Sequence, residues 1–162
     1  MHPVETLEIL LLLMLANGTP VVAAKLLGSR YSCPVDGNIC FLDGSRLLGH
    51  SKTVRGIVLA ILAAAAGAEL IGLGWRLGAL VGSAAMAGDL FSSFIKRRLG
   101  MPPSSQALIL DQVPEALFPL IVCRDWLSLT LADMAVAIAV FFIGELVLSR
   151  LLFALGLRDR PY

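Results

Sequence analysis

At 162 residues, with 57% hydrophobic and only 15% charged side chains and a mean hydropathy of +0.84, the chain is long enough for one domain and lies outside the range of soluble globular proteins. The net charge of +1 carries no message about partners, because the cations are gathered in a few places. Cys33, Cys40 and Cys123 have no C-x-x-C spacing and no ligand-type histidine nearby, so they read as free thiols rather than as a zinc site or a disulfide framework.

The N-terminal run has no basic leader, since His2 and Glu5 stand there, and its apolar character continues past a polar break; it reads as a retained membrane helix rather than a cleaved signal. A hydrocarbon core of about 30 Å needs about 20 mostly apolar residues per helix. Five segments approach that length: residues 4–27, 57–75, 77–95, 105–123 and 131–155. The expected fold is an all-α integral membrane protein, a single domain of five transmembrane helices. The first segment is interrupted by Asn17–Gly18–Thr19–Pro20, and the fourth contains Pro114 and Pro119. Arg30, Arg46, Lys52 and Arg55 lie in the loop 28–55, Lys96, Arg97 and Arg98 in the loop 96–104, and Arg158 and Arg160 in the tail. With five spans these regions share one side, so the positive-inside rule predicts the N-terminus out and the C-terminus in, with the site facing the cytoplasm. Within the loop 28–55, Asp36–Gly37 and Asp43–Gly44 are turn signals that flank a possible short hairpin through residues 39–42.

Before the second segment, Gly49–His50–Ser51–Lys52–Thr53–Val54–Arg55–Gly56 places Lys52, Thr53 and Arg55 at a helix N-terminus, where amide donors and the dipole favour phosphate. It is not a P-loop, since no glycine adjoins the lysine and no strand precedes it. The bland alternative is an ordinary helix cap.

In the third segment Gly78, Gly82, Ala85, Asp89, Ser92 and Lys96 recur at alternating intervals of four and three, one stripe of a helix. Gly78-x-x-x-Gly82 is a surface for close helix packing, so the same stripe, and Asp89 with it, should face the bundle interior. Pro102–Pro103 followed by Ser104 predicts an N-cap and a helix beginning at Ser105, with Asp111 about 10 Å inside and at a depth matching Asp89. Glu115 follows one turn on, and Pro114 would free a backbone carbonyl there. Such hard oxygen ligands suit Mg²⁺, shared between one or two carboxylates and substrate phosphates. Against this stands a structural lock in which an acid pairs with Lys96 or Arg97. Glu69, Asp133 and Glu145 lack the basic surroundings, Glu145 having Arg150 or His50 as candidate partners.

Asp43–Gly44–Ser45–Arg46 is similar to the opening of the CDP-alcohol phosphotransferase motif, but the paired downstream aspartates are missing. A fuller resemblance is carried by Asn17-x-x-Pro20, Pro34-x-Asp36-Gly37, Asp43-Gly44, Gly49-x-x-Lys52-Thr53-x-Arg55-Gly56, Gly88-Asp89-x-x-Ser92-x-x-x-Lys96-Arg97-Arg98-x-Gly100 and Ser104 followed by Asp111-Gln112. In this order the blocks resemble the CDP-archaeol synthases, small membrane cytidylyltransferases related to the phosphatidate cytidylyltransferases. The resemblance implies joining CTP to a phosphorylated glycerolipid with Mg²⁺, giving a CDP-lipid and pyrophosphate. It carries site roles onto Asp43, Lys52, Thr53, Arg55, Asp89, Ser92, Lys96, Arg97, Asp111 and Gln112. Asp89 and Asp111 are the expected metal ligands, and Lys52 and Lys96 join them as catalytic candidates. The other six are expected to bind substrate or nucleotide. A small transporter or proton relay lining Asp89, Asp111 and Glu115 is the alternative, and it would need its acids spread through the membrane depth.

Overall fold

The computed structural model describes residues 2–103, 105–154 and 156. Five helices carry the chain: α1 (Pro3–Leu27), α2 (Val54–Leu70), α3 (Trp75–Arg98), α4 (Leu108–Val122) and α5 (Leu131–Ala154). Among the described residues α1, α3 and the stretch Leu131–Leu151 of α5 are long and apolar enough to cross a membrane. At 17 and 15 residues, α2 and α4 extend about 26 and 22 Å, short of a full hydrocarbon core.

Helix ends differ from the expected ones for local reasons. The Thr53 side chain accepts from Gly56 N at 3.2 Å, and α2 therefore starts at Val54 rather than at 57. It stops at Leu70 rather than 75 because Gly72 and Gly74 take positive φ angles of 83° and 82°. Glu69 reaches across that turn and accepts from Trp75 N at 2.8 Å, capping α3. The expected N-cap Ser104 lies outside the described residues, and α4 begins at Leu108 instead of at 105, so Asp111 falls in its first turn. There its carboxylate reaches back to Ala107 N at 2.9 Å. The expected break at Asn17–Pro20 is absent: α1 runs on through Pro20, as α4 does through Pro114 and Pro119. In an apolar setting a helix tolerates a proline when its neighbours re-satisfy the freed groups.

Small residues set the packing. A Cβ added at Gly78 would lie 2.3 Å from the Ala64 carbonyl oxygen and 2.5 Å from Ala68 Cβ, and one at Gly82 would lie 2.9 Å from Ile61 Cα. The predicted stripe of α3 therefore meets α2 backbone to backbone at its outer end. Gly88 makes the same kind of contact with α4 at Pro114. Ile9, Leu12 and Leu13 of α1 fill the centre with Val81, Ala85, Leu120 and Phe141. Among the described residues α5 packs beside α1 and α4. Its start is a capping box, with Thr130 N and Oγ1 donating to Asp133 Oδ2 at 3.1 and 2.7 Å and Asp133 N donating to Thr130 Oγ1 at 3.2 Å. The second oxygen of Asp133 accepts from His2 N at 3.1 Å, tying the start of α1 to the start of α5.

The connection between α1 and α2 folds on itself without forming a strand. Isolated bridges join Pro34 to Thr53 and Cys40 to Arg46, and Asp43–Gly44 is the tip of a tight hairpin rather than its flank. Asp36 organises the rest. Its buried carboxylate accepts from Gly49 N at 2.9 Å, Leu48 N at 3.3 Å, Asn38 N at 3.1 Å and Arg46 Nη2 at 2.8 Å. Burial alone would raise its pKa, but these donors outweigh that and hold it at about 2. All three cysteines are free.

Candidate active site

A cavity of about 780 Å³ opens between α1, α3, α4 and α5 beneath the α1–α2 connection. Lys52 descends into it from the residues just before α2 and places Nζ 2.6 Å from both oxygens of Asp89. Opposite, Lys96 Nζ stands 2.6 Å from Asp111 Oδ1 and donates to the Ser105 carbonyl at 3.0 Å. The partner of Asp89 is thus Lys52, 37 residues away in sequence, rather than Lys96 or Arg97. Burial would strip the charge from Lys52, but the Asp89 carboxylate, with Glu115 and Asp111 behind it, keeps its pKa raised and the ammonium charged.

Glu115 of α4 lines the same cavity as Asp89 and Asp111. Arg97 is buried; Nη2 donates to the Pro102 carbonyl at 3.1 Å, while Nε and Nη1 have no partner among the described residues. Asn17 Nδ2 and Gln112 Oε1, both on the cavity wall, are buried without a partner too. Buried polar atoms left open in this way cost about 1–3 kcal/mol each; the open donors of Arg97 and Asn17 suit an anionic ligand, and the Gln112 oxygen suits a ligand donor.

Six of the ten expected site residues therefore line one space: Lys52, Asp89, Lys96, Arg97, Asp111 and Gln112. The other four stand around it. Ser92 is buried and bonds back to the carbonyls of Gly88 and Asp89 at 3.0 and 3.1 Å. Thr53 caps α2. Arg55 donates to the carbonyls of Gly28, at 3.1 Å, and Arg30, pinning the end of α1. Asp43 closes the hairpin turn on Ser45 N at 3.0 Å and meets Arg98 Nε at 3.3 Å. Its pKa is lowered, chiefly by the Ser45 amide. Sequence reasoning gave Glu115 only a secondary place and did not assign the supporting roles of Asp36 and Arg98. The signal for Glu115 was its one-turn spacing from Asp111; Asp36 stood out only as a turn residue and Arg98 only as part of a basic run, and neither feature shows the partners they hold. Glu145, passed over as lacking basic surroundings, lies on the same cavity wall.

Fold and cavity define a helical membrane protein with a site between its helices in which lysines and carboxylates are interleaved. A profile of the CarS-like family, described as CDP-archaeol synthase, matches residues 69–162. The CDP-archaeol synthase of Aeropyrum pernix is 34% identical over 168 aligned positions, covering 98% of this chain and 91% of that protein. That of Thermofilum pendens is 33% identical over 153, covering 91% and 75%. A solved structure described as an intramembrane enzyme for archaeal membrane lipids biosynthesis superposes with a TM-score of 0.71 at 32% identity, covering 86% of this chain and 89% of that one. The chain belongs to the CDP-archaeol synthase family. It is a membrane cytidylyltransferase that makes a CDP-lipid, and the transporter reading finds no support.

Proposed function

We propose that the chain joins CTP to a phosphorylated glycerolipid of the archaeol type, an ether lipid, and that the reaction depends on Mg²⁺. The observation that carries this reading is the pair of lysine–carboxylate contacts in the cavity, Lys52 with Asp89 and Lys96 with Asp111, beside the unpartnered donors of Arg97. Each pair is a charge arrangement that a metal–polyphosphate can take over, with ammonium turning to phosphate oxygen and carboxylate to metal. Mg²⁺ takes one or two carboxylates and fills its shell with water and substrate phosphates, a demand that carboxylates standing beside cations in one cavity can meet. Asp89 and Asp111 would hold the ion, with Glu115 beside Asp89. When bound, it neutralises triphosphate charge and favours departure of pyrophosphate.

A phosphate oxygen of the lipid attacks the α-phosphorus of CTP, and the bond from that phosphorus to the bridging oxygen of pyrophosphate breaks. Both reactants are anions, so positioning and neutralisation are the main tasks. Lys96 and Arg97 face the triphosphate, and Lys52 the oxygens nearer the reacting phosphorus. Gln112 lies beside Asp111 for nucleotide contact. Thr53, Arg55, Asp43 and Ser92 act by holding the loop and helices that present these groups. A phosphate monoester is already largely ionised near neutrality, so no strong base is required. We further propose that all five helices are embedded with the N-terminus out, the C-terminus in and the cavity open to the cytoplasm.

The test is pyrophosphate release by purified protein in detergent with CTP and Mg²⁺, supplied in parallel with geranylgeranylglyceryl phosphate and phosphatidic acid, with EDTA controls. Mg²⁺-dependent release with the ether lipid is expected. Release with phosphatidic acid alone would move the substrate to the ester class, and no release with either lipid from folded protein would overturn the assignment.

A further inference from the structure

The hairpin of residues 39–47 carries an apolar surface that the cavity does not use. Leu42, just before its Asp43–Gly44 tip, is 96% exposed and Ile39 is 61% exposed. The hairpin is well made, with Phe41 N donating to Ser45 O at 2.8 Å and Leu47 N to Ile39 O at 3.0 Å. It is also firmly attached, and the place of attachment is informative. Phe41 meets Phe94 of α3 edge to face, with centroids 5.5 Å apart. The Arg98 guanidinium lies 4.5 Å from the Phe41 ring and 4.9 Å from that of Phe94. Arg98 also donates to Ser45 Oγ at 2.6 Å and to the Arg46 carbonyl at 2.7 Å.

Phe91, Phe94 and Arg98 follow one another at three- and four-residue intervals and form one ridge of α3. Phe91 is 45% exposed, does not line the cavity and lies about 10 Å inside the helix end. Its ring packs beside that of Phe118, with centroids 5.6 Å apart, and where α3 crosses a membrane its exposed face would lie against hydrocarbon. The hairpin covers the next two positions of the same ridge, so it sits on the lipid side of the α3 terminus and not over the cavity mouth. The apolar side chains of Ile39 and Leu42, with the polar turn Asp43–Gly44 beside them, suit the boundary between headgroups and acyl chains.

We propose that the hairpin 39–47 is an interfacial element that seats Ile39 and Leu42 in the headgroup–acyl boundary of the adjoining leaflet. Its occupant is the lipid surface. Through Asp36, which binds Asn38 and Arg46 of the hairpin region as well as the amides of Leu48 and Gly49, the seated hairpin fixes the height of the segment that delivers Lys52.

The test places single tryptophans in the full chain with Trp75→Phe and Trp126→Phe as background. Leu42→Trp and Ile39→Trp report on the hairpin, Phe91→Trp serves as the lipid reference and the exposed His50→Trp as the water reference. The proteins are reconstituted in vesicles of phosphatidylcholine and phosphatidylglycerol, with and without phosphatidylcholine brominated near the headgroup end of its acyl chains. The expected result is blue-shifted emission from both hairpin probes and quenching by bromine nearer to the Phe91→Trp value than to the His50→Trp value. Emission and quenching that track His50→Trp at both positions would overturn the proposal. Neither outcome depends on the reaction catalysed, so failure here is distinct from failure of the substrate assignment.

Discussion

Gly88 is where α3 and α4 meet most closely, one residue before Asp89. A Cβ built there lies 2.3 Å from the Pro114 carbonyl oxygen, 2.6 Å from its carbon and 2.8 Å from Glu115 N. All three are backbone atoms, so no side chain can swing aside. Ordinary contact is regained only if α4 withdraws by about 1 Å. Overpacking on this scale costs about 1–3 kcal/mol in stability. The chemical cost is larger, because Asp111, Gln112 and Glu115 retreat together from Asp89 and Lys52, and a misplacement of about 1 Å can lower turnover on the order of 100-fold. Gly88→Ala should therefore cut CDP-lipid formation by about that factor, with a modest fall in thermal midpoint, while Gly144→Ala, with nothing within 4 Å of the added carbon, leaves both unchanged. Formation would be followed with radiolabelled CTP and the midpoint in the same detergent. A Gly88→Ala protein with wild-type turnover and midpoint would refute the argument that this contact sets the spacing of the site.

Further expectations concern charge. Asp89→Asn should abolish turnover in a protein that remains folded, and near-normal turnover would remove Asp89 from the metal site. Lys52→Met leaves a buried acid uncompensated, which typically costs about 3–5 kcal/mol; the double variant Lys52→Met/Asp89→Asn should recover most of that stability but none of the activity, as read by thermal melts and pyrophosphate release. Arg97→Lys should raise KM for CTP more than it lowers kcat, since the guanidinium places two open donors that one ammonium cannot reproduce. The Asp36 carboxyl, held at about 2 against an ordinary 3.8, contributes about 2 kcal/mol to loop stability above pH 4. Because the folded value is the lower one, this contribution is complete above the unfolded pKa and fades as pH falls towards 2. Protection of the Leu48 and Gly49 amides, measured against the intrinsic exchange rate at each pH, should fall over that window in wild type and already be low at pH 6 in Asp36→Asn.

Hydropathy and spacing made the five helices and the α3 stripe legible, because both depend on residues close in sequence. Helix ends were less so. Residues 71–75 are apolar enough to extend α2, and only the positive φ demanded at Gly72 and Gly74, with Glu69 capping the next helix, shows why it stops. The prolines misled in the opposite direction: Pro20 marks a break by local rules, yet α1 continues because packed neighbours support it. In the site, Lys52 and Asp89 were each visible as candidates, but a bond across 37 residues depends on how the loop returns to α3, which no local pattern encodes. Residues that work by holding others, such as Asp36 with its four donors, carry no chemical signature until the fold brings those donors together.

The wall of the cavity is completed by α5, which adds Glu145 and Ser149 and is fastened at its start to His2 by Asp133. During synthesis α2 and α3 emerge as neighbours joined by four residues and can pack through Gly78 and Gly82 at once. The place for α5 beside α1, by contrast, stays vacant until the roughly one hundred residues between Leu27 and Leu131 have been made. Until then the Lys52–Asp89 and Lys96–Asp111 pairs would stand open on one flank, and each acid's lysine partner keeps that unfinished state close to electrically neutral.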